Sequence, residues 1–291
     1  TVRNFTRSGG GVGGDGFVNA AEAAAGLTFT GTAEAGASVV VRLTSGASIT
    51  TTANSSGAWT VSFASSDVPR GETTSSVSVT ATDKAGNVST FSDTFVLDTV
   101  APGAPDVTMV VKTTSGALRG IYTEATTDSY SFHEVKTDGT ALTVSEAHTT
   151  TDMETAFAFN RGVPDGSYLV INTADAAGNE SSTLLIVNNT IAPVVDLNRA
   201  GLANFDLSAI DLTVAPQASL TITEAQLNAI TGPDHTLVIK GGVDDHVTLT
   251  GGMTTTETKV IDGQSYKLYH LGSGGNVYVD DDILTQTTTV I

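Results

Sequence analysis

Two stretches of the chain read nearly alike about 91 residues apart, from Pro102 to Pro193. The first is Thr82-Asp83-Lys84-Ala85-Gly86-Asn87, a strand-length run, then Asp98-Thr99-Val100-Ala101-Pro102. The second is Ala174-Asp175-Ala176-Ala177-Gly178-Asn179, another run, then Asn189-Thr190-Ile191-Ala192-Pro193. A matching turn precedes each, Val68-Pro69-Arg70-Gly71 and Val163-Pro164-Asp165-Gly166. A period this long repeats whole domains, not the small units of a solenoid. The expected modules are therefore residues 1–102, with a Gly-rich lead, a divergent second copy at 103–193, and a third region at 194–291.

Inside the copies the local signal is β. Ala37 to Leu43, Ala58 to Phe63 and Ser76 to Ala81 alternate or run apolar over strand length. Asp83-Lys84-Ala85-Gly86-Asn87 is a tight turn, in which Asp caps and Gly or Asn takes positive φ. Thr90 to Leu97 then closes a hairpin, which places Asp83 and Asp98 at the same end of the module. Trp59 is expected in the core. About seven short strands, with turns roughly every 8 to 12 residues, describe an immunoglobulin-like sandwich. The proline-containing linkers at 99–103 and 190–193 should be extended and stiff.

The last region differs. Thr223-Glu224-Ala225-Gln226 has the form of a capping box and predicts a short helix over Glu224 to Ile230. Strands follow at His235–Lys240, Val247–Thr250, Tyr266–Leu271 and Asn276–Val279. Gly241-Gly242-Val243-Asp244-Asp245 and Ile261-Asp262-Gly263 read as hairpin turns. The fold class is all-β: tandem immunoglobulin-like β-sandwiches, then a mainly β C-terminal module with one short helix.

Charge narrows the partners. Thirty-one acidic residues against thirteen Lys and Arg give a formal net charge of −18. Such a surface repels nucleic acid and anionic membranes. Either it only solubilises the chain, or it recruits a hard cation such as calcium. With no cysteine there is no disulfide, thiolate metal site or cysteine nucleophile. No apolar run reaches the roughly 18 residues of a membrane span, and no N-terminal signal pattern is seen. The start at Thr1-Val2-Arg3 reads as a cut inside a longer chain.

Asp-x-Ala-Gly-Asn, a strand, then Asp-Thr-x-Ala-Pro resembles the tandem bacterial immunoglobulin-like repeats of large type I-secreted surface adhesins, the biofilm-associated proteins among them. Asp15-Gly16-Phe17-Val18-Asn19-Ala20-Ala21-Glu22 resembles the opening of such a repeat, and Leu27 to Gly36 its continuation. The resemblance covers nearly all of residues 10 to 102 and the second half of 103–193. Leu237-Val238-Ile239 and Val243 to Leu249 resemble a terminal domain of such proteins. The family implies calcium (Ca2+) at domain junctions. Carried over residue by residue, its ligands are Asp15 and Glu22 in the opening, Asp83 in the turn, Asp98 in the linker, and Asp175 in the second copy. Asn189 stands where the first copy has Asp98. Gly10 to Phe17 also matches one calcium-binding nonapeptide of parallel β-rolls, against the plainer reading of a Gly-rich lead.

No enzyme motif appears. His133-Glu134 lacks a second His at helical spacing, and there is no nucleophile elbow or Walker loop. Asp244-Asp245-His246 reads as a polar turn entering a strand. Asp280-Asp281-Asp282 is either a cation site or a charged edge that blocks strand pairing. Tyr122, Tyr130, Phe132 and His133 read as strand-core residues. The resemblance implies an extracellular, monomeric, calcium-rigidified spacer rod at a bacterial surface, serving adhesion or biofilm cohesion. Two further readings are a carbohydrate- or protein-binding surface on the second or third module, and an accessory region of a surface enzyme.

Overall fold

The computed structural model describes residues 3–8 and 16–288. Among the described residues the chain is all-β with two short α-helices, and it divides into two compact units. Unit 1 comprises Thr1–Pro102 together with Ala174–Asn179, and unit 2 the rest.

Unit 1 is a two-sheet sandwich. One sheet has the order Arg3–Ser8, Leu27–Thr32, Ala58–Phe63. The other runs Phe17–Val18, Val88–Asp98, Glu72–Thr82, Ser38–Leu43, Ser48–Thr52. Phe17–Val18 is parallel to its neighbour, and the remaining pairs are antiparallel. Successive side chains point to opposite faces of a strand, so the alternating sequence delivers Val39, Val41 and Leu43 to the core from one sheet. Trp59, Val61 and Phe63 meet them from the other. Trp59 is buried as expected. Its indole lies over Gly31, where an added Cβ would stand 2.5 Å from a ring carbon. Gly31 is glycine because the tryptophan fills its side-chain space.

The Asp83 turn forms as read, with Gly86 at φ 88°. Its position relative to Asp98 does not. Val88 pairs with Thr82 at one end of the hairpin and Asp98 with Glu72 at the other. At about 3.3 Å per residue the strand between them holds the two aspartates roughly 30 Å apart. A residue that ends a hairpin strand cannot share an end with the turn that begins it.

Unit 2 opens with a four-stranded antiparallel sheet, Glu146–Thr150, Glu154–Val163, Leu118–Glu124, Val107–Lys112. Facing it is a nine-stranded sheet. That sheet starts with Ala141–Thr143, Ser129–Val135, Tyr168–Ala174 and Glu180–Ile186, then continues through Ala209–Asp211, Thr236–Lys240 and Gly275–Asp280. The hairpin Gln264–Leu271 and Gly252–Ile261 completes it. A second parallel sheet contains Val194–Val195, Ser219–Thr223, His246–Thr250 and Leu284–Thr288.

The expected boundary near residue 193 is not a break in this architecture. Glu180–Ile186 pairs in parallel with Ala209–Asp211, so one sheet crosses it. Leu185 and Val187 point into the core of residues 107–187, while Leu184 and Ile186 point into the core of the C-terminal region. Tyr168–Ala174 is divided the same way, with Leu169 and Ile171 on one side and Tyr168 and Val170 on the other. A strand covered on both faces reads as a continuous buried run, which Ser181 to Val187 is.

The C-terminal region is a parallel coil: the chain passes from the nine-stranded sheet to the smaller sheet four times and returns three times. Gly241 to Asp245 is therefore a corner, not a hairpin turn. Thr236–Lys240 and His246–Thr250 lie in different sheets, each paired in parallel with other strands. Ile261-Asp262-Gly263 does close a hairpin, with positive φ at Asp262 (50°) and Gly263 (83°), as a two-residue turn of this hand demands. The helix Glu224–Ile230 forms with its capping box, Thr223 Oγ1 accepting from Gln226 N–H and Gln226 Oε1 accepting from Thr223 N–H.

Candidate cation-binding site

Two of the acidic residues picked out in the sequence, Asp98 and Asp175, meet around one amide. Asn19 caps a six-residue helix, Ala20–Ala25, that the sequence reading passed over. Its side chain accepts from Glu22 N–H at 2.9 Å, and Glu22 Oε2 accepts from Asn19 N–H at 2.9 Å. Asn-x-x-Glu is the signal that would have found it. The cap also fixes Glu22 at the helix start.

The turn Asp175–Asn179, grouped with unit 1, meets this cap. Ala20 N–H donates to Asn179 Oδ1 at 2.8 Å, and Asn19 Nδ2 donates to Ala177 O at 3.1 Å. Asn179 Nδ2 donates to Asp175 Oδ2 at 2.9 Å and to the Asp98 carbonyl at 3.1 Å, with Asp98 Oδ1 at 3.5 Å. Asn179 is buried, so its amide is a fixed hub. Asp175 Oδ1 accepts from the N–H groups of Ala177 and Asn179, both at 2.9 Å. Asp98 Oδ1 accepts from Val100 N–H at 3.2 Å, which shapes the start of the linker.

Two acidic residues from distant parts of the sequence, Asp98 and Asp175, thus share one amide, and Glu22 stands in the helix cap that bonds to the same turn. Among the described residues, neither Asp98 nor Asp175 forms an ion pair. Arg70 reaches the same neighbourhood but donates to a carbonyl, Ala20 O, at 3.1 Å. The donors on offer are carboxylate and backbone oxygens, the set a hard divalent cation takes. Among the described residues no three Asp, Glu, His or Cys side chains converge as a metal-holding group. Asp15, the remaining residue of the opening motif, lies outside the described residues.

Asp83 and Asn189 are elsewhere. Asp83 is occupied with its own turn: Oδ1 accepts from Ala85 and Asn87 N–H, and Oδ2 from Asn87 Nδ2 at 2.7 Å. Those bonds, Asn87's first, hold its carboxyl below the ordinary aspartate value. Asn189 sits beside Asp165, Gly116 and Lys112. Of the aromatic cluster, Phe132 is buried and meets Phe157 at 4.9 Å and Phe159 at 5.2 Å between ring centroids, whereas Tyr122, Tyr130 and His133 are half-buried.

Comparison with known proteins bears on residues 17–98, which match the family described as bacterial Ig domain. None of the curated proteins matches the chain. Among solved structures, a bacterial immunoglobulin-like domain from the M. primoryensis ice-binding adhesin is 32% identical, over 33% of this chain and 97% of that one, at a TM-score of 0.25. A Ca2+-stabilized adhesin that helps an Antarctic bacterium reach out and bind ice is 17% identical, over 99% of this chain and 75% of that one, at 0.41. A structure bearing on host cell surface retention of a 1.5-MDa bacterial ice-binding adhesin is 15% identical, over 98% of both chains, at 0.37.

Proposed function

Because the chain belongs, through residues 17–98, to the bacterial Ig domain family, we propose that it is a piece of an extracellular bacterial surface adhesin whose first linker is stiffened by calcium. The observation that carries this is the hub at Asn179, where Asp98 of the linker and Asp175 of the second repeat share one amide and have no basic partner among the described residues. Bound calcium supplies a double positive charge and several oxygen-coordination positions in one place. Asp98 contributes the linker carboxylate, Asp175 the turn carboxylate, and Glu22 the acid at the helix cap. Asn179 bonds to both of the first two, and the half-buried capping box fixes Glu22 at the helix start that meets the same turn. Ordering residues 98–102 this way lowers their conformational freedom and relieves repulsion in a chain of net charge −18. The role is mechanical, in adhesion or biofilm cohesion, and involves no catalysis.

The test is a calcium titration of the metal-stripped chain, followed by heat-capacity melting. Extracellular calcium modules bind at roughly 10⁻⁴ to 10⁻³ M. At ten times the dissociation constant, binding to the folded state alone stabilises by about 1.4 kcal/mol. For a domain of around 100 residues that raises Tm by roughly 6–11 °C. Asp98→Ala should remove most of the rise. An identical rise in the variant, or none in the parent, sinks the proposal.

Ligand recognition by the second repeat is favoured by one observation. A cavity of about 210 Å3 is lined by Asp106, Thr123, Glu124, Asp128 and Tyr130 among others. Polar groups beside one aromatic ring suit a sugar hydroxyl face. A glycan array probed with the whole chain, then with Tyr130→Ala, decides this.

A further inference from the structure

Asn189 occupies the place that Asp98 holds in the first copy, and the family resemblance makes it a calcium ligand. The side chains around it do not fit a metal. Asn189 N–H and Nδ2 both donate to Asp165 Oδ1, at 2.8 and 3.0 Å, and Nδ2 also donates to Gly116 O at 3.1 Å. With the nitrogen committed on that side, Oδ1 points the other way, and there Lys112 Nζ donates to it at 2.8 Å. The same ammonium donates to Val214 O at 3.2 Å. Lys112 ends the strand Val107–Lys112, so its stem starts from a fixed point. Gly116, at φ 87°, leaves no space for a side chain beside the Asn189 amide.

A calcium ion on Asn189 Oδ1 would sit at about 2.3–2.6 Å from that oxygen. The ammonium already stands there, and like charges at such a distance repel strongly. A lysine head is a compact point charge with three donors, suited to bridging separate oxygens. Here it bridges the end of the second repeat, at Asn189, and the loop that follows Ala209–Asp211 in the parallel coil, at Val214. Burial lowers its pKa from the ordinary lysine value, while the Asp165 carboxylate opposes that shift.

We propose that Lys112 is a tethered cation that takes the place of calcium at the second repeat motif, so that this part of unit 2 is held without metal. The inference rests on the calcium reading only for the motif position it compares, and it stands whether or not the Asn179 hub binds calcium. The test uses the full chain. Lys112→Met keeps the apolar stem and removes the charge. In EDTA it should lower the melting transition of unit 2 by roughly 2–6 °C, and an unchanged transition overturns the proposal. Asn189→Ala, in equilibrium dialysis against calcium, should bind as many ions as the parent chain. Loss of one bound ion overturns the proposal. A parent chain that binds no calcium at all defeats the calcium reading of the Asn179 hub, and the Lys112→Met melting result still decides this one.

Discussion

Leu184 and Leu185 are adjacent, fully buried, and belong to different cores. Leu184→Ala opens a cavity in the C-terminal coil, and Leu185→Ala opens one in the second repeat. Each removes three carbon atoms from a packed site, a loss of about 2–5 kcal/mol. Were the two regions separate domains, each substitution would lower its own transition. They share the strand Glu180–Ile186, however, and neither core survives its removal. Both substitutions should therefore lower one common transition of unit 2. For a unit of this size each kcal/mol is worth roughly 2–4 °C, so each variant should fall by roughly 4–20 °C. The transition of unit 1 should stay in place. The assay is differential scanning calorimetry of the parent and both single variants. Three resolved transitions, with each leucine moving a different one, would refute the shared-strand argument.

Other outcomes follow from individual contacts. Gly31→Val should destabilise unit 1 by about 1–3 kcal/mol through overpacking against Trp59, and Trp59→Leu should relieve it in a double-mutant cycle read by urea denaturation. Glu134 is buried, paired with Arg161 and accepting from Ser167 Oγ at 3.0 Å. Arg161→Met should cost about 3–5 kcal/mol by leaving a buried charge alone, while a loss below 1 kcal/mol would show that the pair is screened by water. The Asp83 carboxyl is held below 3.8, so its contribution to stability is present above that pH and fades as pH falls through the lower folded value. An NMR titration of Asp83 should show a midpoint below 3.8, moving up in Asn87→Ala. Asn179→Ala should lower the melting temperature of the metal-free chain more than that of the calcium-loaded chain, since a bound ion would take over the task of holding Asp98 near Asp175.

The first repeat was readable because its strands alternate and its turns carry Gly, Asp and Asn where positive φ or a side-chain cap is required. Val39, Val41 and Leu43 announce their face by spacing alone. The helix at Ala20–Ala25 is signalled only by Asn19 and Glu22 at capping-box spacing, within a run that also fits the repeat opening. The parallel coil was harder. Two strands separated by Gly241 to Asp245 look the same in sequence whether the chain reverses within one sheet or turns a corner into another. Only the partners differ, and those are distant in sequence. Ser181 to Val187 carried the better signal, a run buried on both faces. Asp98 and Asp175 could be named from the repeat, but the amide that joins them could not, since its contact with Asp98 spans 81 positions. Lys112 was equally invisible, lying 77 positions from Asn189.

The strand Glu180–Ile186 also limits how such a gene can be edited. Residues 17–98 bury their own apolar faces and can be copied or deleted as a cassette by unequal crossing-over. The second repeat cannot, despite its matching motif. Excised at Pro193, it would carry Tyr168, Val170, Leu184 and Ile186 into water, because their cover comes from residues beyond it. Length can therefore change by copying residues 17–98, while residues 103–193 and the coil are inherited together as one piece.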